Sequence, residues 1–259
     1  MQYGKLHIFA AVMTQFDHDI IVPYKDSALS KSKQVEAMFD DIAPRYDFLN
    51  RFLSSGIDVI WRKKALKQLI TSQPKLMLDV ATGTADLAIM AAGMLHPDKI
   101  TGIDISEGML NMGRKKINKL GLQGNIELLK GNCETINFES ETFDAVTVAF
   151  GVRNFQHLEK GLGEILRVLK PGGKLLVLEF SKPRSVIVSS FYSIYMKIVA
   201  PNIGKLFSKN KSAYQYLDKS IQKFPEGKRF IQILDDQGYK NTYSKSLSLG
   251  ICSIYCGEK

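Results

Sequence analysis

Between residues 75 and 179 the chain alternates short apolar runs with amphipathic stretches of helical length. Lys75 to Val80, Ile100 to Asp104, Ile126 to Lys130, Phe143 to Ala149 and Lys174 to Glu179 read as strands. Ala85 to Met94, Glu107 to Leu120 and His157 to Leu169 read as helices, the last ended by Pro171-Gly172-Gly173. Strand, helix, strand with short connections leaves few topologies, because each right-handed crossover returns the chain to the same sheet. The expected fold is α/β: a mostly parallel, Rossmann-like sheet with helices on both faces and ligands at the carboxyl ends of the strands. Asn241 to Leu247 and Ile251 to Cys256, joined by Ser248-Leu249-Gly250, predict an antiparallel hairpin that closes one side of the sheet.

At 259 residues and 45% hydrophobic content the chain can bury one sizeable core, and a single domain over 31–259 fits the length better than two small ones. Three appendages remain: an N-terminal extension over 1–30, expected to be flexible, a helical cover over 31–72, and an aromatic, basic helical insertion over 184–224. Leu6 to Val12 is apolar, but Lys5 alone precedes it and Asp17 and Asp19 follow, which is not the layout of a secretory signal; Met13 is an alternative start. No apolar run reaches the roughly 18 residues that span a bilayer.

The chemistry gathers at the strand ends. After the first strand comes Asp79-Val80-Ala81-Thr82-Gly83-Thr84, a turn of small residues that lets backbone approach a ligand while the next helix offers its free N–H groups. Asp104 closes the second strand, where an acceptor-only carboxylate can take both hydroxyls of a ribose. NAD-binding domains share that feature, and Asp in either place also serves as a cap or turn residue. The first turn resembles motif I of class I methyltransferases, in the form D-x-A/G-x-G-T. In those enzymes the position of Gly131-Asn132-Cys133, after the third strand, meets the adenine edge of the donor; Asn beside Gly is otherwise an ordinary turn.

Two longer stretches narrow the comparison. They are Phe39-Asp-Asp-Ile-Ala-Pro-Arg-Tyr46-Asp47-Phe-Leu-Asn50, continuing to Trp61, and Arg167-Val-Leu-Lys-Pro-Gly-Gly, continuing to Pro183, with Phe150-Gly-Val-Arg153-Asn154 between them. With these the chain resembles the ubiquinone/menaquinone biosynthesis C-methyltransferases from about Val35 onward. The resemblance implies S-adenosyl-L-methionine as methyl donor, no metal, and a polyprenyl quinol as acceptor. Demethylmenaquinol is the expected acceptor, with 2-polyprenyl-6-methoxy-1,4-benzoquinol as the alternative. Thr84, Asp104, Asn132 and Cys133 are implied donor contacts, and Asp79, Ala81, Gly83 and Ala149 complete the expected cofactor site. The family often places serine where Ala149 stands and usually histidine where Asp58 stands. It leaves a homodimer open, and no seam in the sequence compels one.

Carbon methylation of a quinol asks the protein to orient the ring, exclude water and stabilise or remove a phenolic proton. Arg153, beside the methyl-transfer position of this fold, could hold a phenolate oxygen, or could be an ion pair at a helix entry. Tyr46 could stack on a quinone ring and Asp58 could take the proton, or both could be structural: Tyr46 packing the cover, Asp58 capping a helix that begins near Val59. The net charge of +9 favours an anionic surface. Rings such as Phe191, Tyr192 and Tyr216 among Lys197, Lys205 and Lys219 in the insertion suit transient contact with an anionic membrane, so a cytoplasmic, peripheral protein is expected; a solvated helical cap is the plainer reading. Nucleic acid is not an expected partner: after the fourth strand there is no Pro-Pro-Tyr to grip a flipped amino group and no Pro-Cys nucleophile. A module that only senses a nucleotide would use the same pocket. Cys252 and Cys256, four apart, read as small buried hydrophobes rather than a metal pair.

Overall fold

The computed structural model describes residues 16, 18–54, 56–183 and 211–259, and the side chains of residues 49, 50, 52, 53, 211, 212 and 214 are left aside. Helices α1 (Lys31–Ile42), α2 (Tyr46–Leu53) and α3 (Ile57–Leu66) form the cover. The alternating core follows as β1 (Leu76–Val80), α4 (Asp86–Leu95), β2 (Lys99–Asp104), α5 (Glu107–Leu120), β3 (Ile126–Lys130), β4 (Phe143–Ala149), α6 (Leu158–Val168) and β5 (Leu169–Phe180). Helices α7 (Lys211–Lys223) and α8 (Lys228–Asp236) lead to the hairpin β6 (Lys240–Leu247) and β7 (Cys252–Glu258).

The seven strands lie in the order β3-β2-β1-β4-β5-β7-β6. The first five are parallel and β7 runs antiparallel to both β5 and β6, as expected. Strand order reverses between β1 and β4, and that switch point opens a cleft above their carboxyl ends. Alternation along the strands divides the core. Leu175 and Val177 of β5 pack with Leu162 and Leu234 on one face, and Leu176 and Leu178 pack with Leu66 and Leu110 on the other. The cysteines of β7 are both buried, as read from their spacing.

Three expectations change. Pro171-Gly172-Gly173 does not precede the fifth strand but forms an excursion inside it: Leu169 already pairs with Phe143, and the register shifts before Lys174 pairs with Ala145. Helix α8, unread in the sequence, buries Phe230, Ile233 and Leu234. The expected free extension is anchored over its later part: Phe16 and His18 are buried, Lys31 Nζ donates to the His18 carbonyl at 2.8 Å, and Gln34 bonds the backbone of Tyr24 and Leu29. A glutamine that pairs buried backbone makes a polar segment fold without an apolar stripe. The first part of the aromatic insertion, 184–210, lies outside the described residues; the second part is α7, whose Tyr216 is buried against α1. Among the described residues no helix is long and apolar enough to cross a membrane.

Candidate active site

The switch-point cleft has about 670 Å³ of free space, open solvent at its mouth included. Its floor is the turn after β1. Ala81 and Gly83 adopt positive φ, 53° and 56°, and a Cβ on Gly83 would meet nothing within 4 Å, so backbone lies bare toward the cleft. Gly151, after β4, sits where a Cβ would stand 2.6 Å from that of Ala81; only glycine lets the two loops close on each other.

Asp79 does not face the cleft. Its carboxylate is buried, accepting from Thr82 Oγ1 at 2.7 Å and Thr147 Oγ1 at 2.5 Å, and it braces the turn from beneath. Burial raises its pKa to about 6, against the pull of the two hydroxyls. Asp104 lies beside the turn and lines the cleft. One oxygen accepts Gly83 N at 2.8 Å and the other Ser106 N at 2.9 Å, which ties the end of β2 to the turn after β1. Burial raises this carboxyl also to about 6, while the backbone N–H groups of Ser106 and Gly83 pull it down. Each oxygen has two lone pairs, so one on each remains for a ribose hydroxyl.

Asn132, Cys133 and Ala149 line the cleft where the sequence placed them. Asn132 Oδ1 accepts Glu134 N at 2.9 Å, and burial pushes the Cys133 thiol well above its usual range, so it stays neutral. Thr84 is buried with its hydroxyl turned to the cover, donating to Asp47 Oδ1 at 2.6 Å and accepting from Lys116 Nζ at 2.9 Å. That leaves its backbone for a ligand.

The three catalytic candidates part company. Tyr46 lines the cleft, edge-on to Phe39 with centroids 6.0 Å apart. Asp58 is buried in the first turn of α3, taken up by Arg62 and by Ser54 Oγ at 2.7 Å, so it is neither a cleft base nor the helix cap, a place held by Gly56. Arg153 is 5% exposed and bonds Glu179 Oε1 at 2.6 Å and the Phe150 carbonyl at 2.7 Å, its guanidinium 5.5 Å from the Phe180 centroid. Of the two readings of Arg153 the structure shows the second, an ion pair, here buried, and it holds the loop after β4. Sequence reasoning missed Asp40, whose Oδ1 accepts Ser106 Oγ at 2.6 Å and Gly108 N at 2.9 Å, clamping α1 to the start of α5. It also missed Asn154, which lines the cleft and accepts from Tyr216 Oη at 3.0 Å. Both asparagine and aspartate stand in the quoted stretches, but only their partners, 66 and 62 residues away, reveal the roles. Among the described residues no group of three or more His, Cys, Asp or Glu could hold a metal ion.

A switch-point cleft with a bare-backbone turn and a ribose-competent carboxylate is common to dinucleotide-binding domains and class I, S-adenosylmethionine-dependent methyltransferases, and the comparisons place the chain in the second class. Solved structures agree on the fold. A SAM-dependent methyltransferase from Aquifex aeolicus superposes with a TM-score of 0.55 at 23% identity, over 76% of this chain and 88% of that one. A possible histamine N-methyltransferase from Thermotoga maritima gives 0.61 at 20% identity, over 86% and 99%. The sequence is more specific. A demethylmenaquinone methyltransferase of Bacteroides fragilis is 46% identical over 244 residues, 94% of this chain and 99% of the relative. A ubiquinone/menaquinone biosynthesis C-methyltransferase UbiE of Geobacter sulfurreducens is 46% identical over 230 residues, 88% and 90%. The profile of the ubiE/COQ5 methyltransferase family matches residues 27–259, and the chain belongs to that family.

Proposed function

We propose that the enzyme methylates a ring carbon of demethylmenaquinol, giving menaquinol, with S-adenosyl-L-methionine as donor and no metal. The observation that carries the reading is the bond from Gly83 N to Asp104, which joins a bare turn and a carboxylate with free lone pairs in one cleft. The aromatic wall of that cleft, Phe39, Tyr46, Phe150 and Phe155, suits a flat fused ring above the donor. The relatives named for demethylmenaquinone support the choice of acceptor.

When bound, the donor supplies an electrophilic methyl on a sulfonium. Asp104 holds its ribose, the backbone at 81–84 its amino-acid end, and Asn132 and Cys133 its base edge. The aromatic wall fixes the acceptor ring in line and keeps water from the reacting carbon. Tyr46 orients the ring, and Asn154, fixed by Tyr216, offers its amide to a ring oxygen. Arg153 acts indirectly, by holding the loop that carries Phe150 and Gly151. The protein meets its acceptor at the inner face of a membrane without crossing it.

The purified enzyme, given S-adenosylmethionine and either demethylnaphthoquinol or the methoxybenzoquinol, is expected to transfer methyl to the first. Exclusive turnover of the second assigns the benzoquinol pathway instead. Turnover of neither, with donor bound, removes the quinol reading.

A further inference from the structure

The tip of the C-terminal hairpin is held in a backbone conformation that its side chains do not favour. Ser248, Leu249 and Gly250 have φ of 46°, 57° and 98°, and Leu249 presents its side chain to solvent at 77% exposure. A leucine in the left-handed region is strained and gains no local hydrogen bond there, unlike asparagine. Contacts from either side impose it. Trp61 Nε1 donates to Ser248 Oγ at 2.8 Å, and Ser181 Oγ donates to the Gly250 carbonyl at 2.8 Å. Strain kept by its surroundings, to expose a leucine, points to a partner for that leucine.

Helix α3 runs beside the tip, since Trp61 belongs to it. Ile57 and Ile60 are 40% and 51% exposed, and Lys63, Lys64 and Lys67 are exposed too. At about 100° per residue these five fall on one arc of roughly 120°, opposite buried Asp58, Arg62 and Ala65. No Asp or Glu occurs between Val59 and Leu78, or between Thr242 and Gly257, so both segments are purely basic.

We propose that this face docks on an anionic lipid bilayer, with Leu249, Ile57 and Ile60 entering the boundary of headgroups and acyl chains and the three lysines lying against lipid phosphates. Two features favour that occupant. A second copy joined by a two-fold axis would bring the lysine cluster toward its own image, which like charges oppose. Nucleic-acid phosphates would satisfy the lysines and leave the aliphatic side chains in water. A bilayer with anionic headgroups satisfies both sets. The location fits as well: the Trp61 ring lies 6.4 Å from that of Phe150, a wall of the cleft, so one side chain separates the docked tip from the active site. The proposal deepens the quinol reading and rests on it for its purpose, because a polyprenyl acceptor resides in the lipid.

Flotation of the full chain with vesicles of phosphatidylcholine, with and without phosphatidylglycerol, tests it. The chain is expected to float with anionic vesicles and not with neutral ones. Leu249→Ser is expected to weaken binding on the order of tenfold, and each of Lys63→Gln, Lys64→Gln and Lys67→Gln about fivefold. Unchanged melting temperature and donor affinity show that these variants fold. They keep wild-type turnover on a soluble, short-chain quinol, and on a long-chain quinol held in vesicles their turnover falls in step with the lost binding. Equal binding to neutral and anionic vesicles, or binding that all four variants retain, overturns the proposal. Loss of self-association in Leu249→Ser overturns it in favour of a second copy, and retention of the wild type on RNA but not on vesicles in favour of nucleic acid. If the chain floats as expected but methylates neither quinol, the docking face stands and the acceptor reading falls.

Discussion

Asp104 meets two demands with two oxygens. Each accepts one backbone N–H, from Gly83 and Ser106, and in the proposed donor site each also receives a ribose hydroxyl. That requires the ionised form, yet burial has raised its pKa from the model-peptide 3.8 to about 6. Two opposite trends follow. The native carboxyl holds its proton more tightly than the unfolded one, so its contribution to stability is full below roughly pH 4 and is lost as pH rises through about 6. Donor affinity runs the other way: below pH 6 the dissociation constant of S-adenosylmethionine should rise toward tenfold per pH unit, at roughly one proton per site. Asp104→Asn should bind donor weakly at every pH and remove that slope. Calorimetric titration from pH 5 to 8 decides, and a flat affinity in the wild type would separate the carboxylate from the ribose. The places of Asp104 and Gly83 in the cleft were legible because strand ends and tight turns leave few residue types that serve. For Arg153 the ion pair was one of two readings but its partner was not legible, since a long guanidinium goes wherever its counter-charge lies, and Asp58 fills neither place read for it. Glu179, 26 residues from Arg153, sits at the far end of another strand.

The cover is tied to the cleft by side-chain clamps. Helix α1 is clamped to the loop that carries Asp104 through Asp40, and α2 is tied to the motif turn through Asp47, which also pairs with Lys116 at 2.7 Å. Both clamps reach the cofactor site from above, so closing the cleft and shaping its floor are one event. Asp40→Ala should therefore raise the donor dissociation constant on the order of tenfold, the worth of one charge-assisted hydrogen bond, while the melting temperature falls by only a few degrees. Affinity unchanged with stability lost would make Asp40 purely structural; thermal melts beside the titration tell these apart. The alternating β and α elements were readable because apolar period and turn residues agree along them. Helix α8 carries its apolar residues at the helical spacing 230, 233, 234 and could have been read, had its nine residues not been so short beside their basic and acidic neighbours. The strand through Pro171-Gly172-Gly173 could not, because local signals there say turn and only pairing on either side with β4, with Lys259 bonded to Gly172 and Gly173, carries the strand through them.

At the scale of the molecule, the sequence carried the sheet, its hairpin and the cleft, all of which follow from handedness and strand order. It did not carry the packing of Phe16 and His18 against Phe224, between α7 and α8, and Arg229 of α8, where His18 meets Phe224 at 6.0 Å, because no local pattern announces a contact across 200 residues. The cover, the cleft wall and the hairpin tip converge on Trp61, the chain's single tryptophan. Its indole N–H is bonded to Ser248 while its ring faces Phe150 and Phe180. The molecule thus carries its own spectroscopic probe. Emission excited where tyrosine is silent should shift when S-adenosylhomocysteine fills the cleft, and shift separately when anionic vesicles meet the tip; Ser248→Ala should alter the starting colour. A signal indifferent to both additions would mean the indole is a bystander. If it responds, light from one ring would time donor arrival and landing on lipid in the same sample, with no label attached.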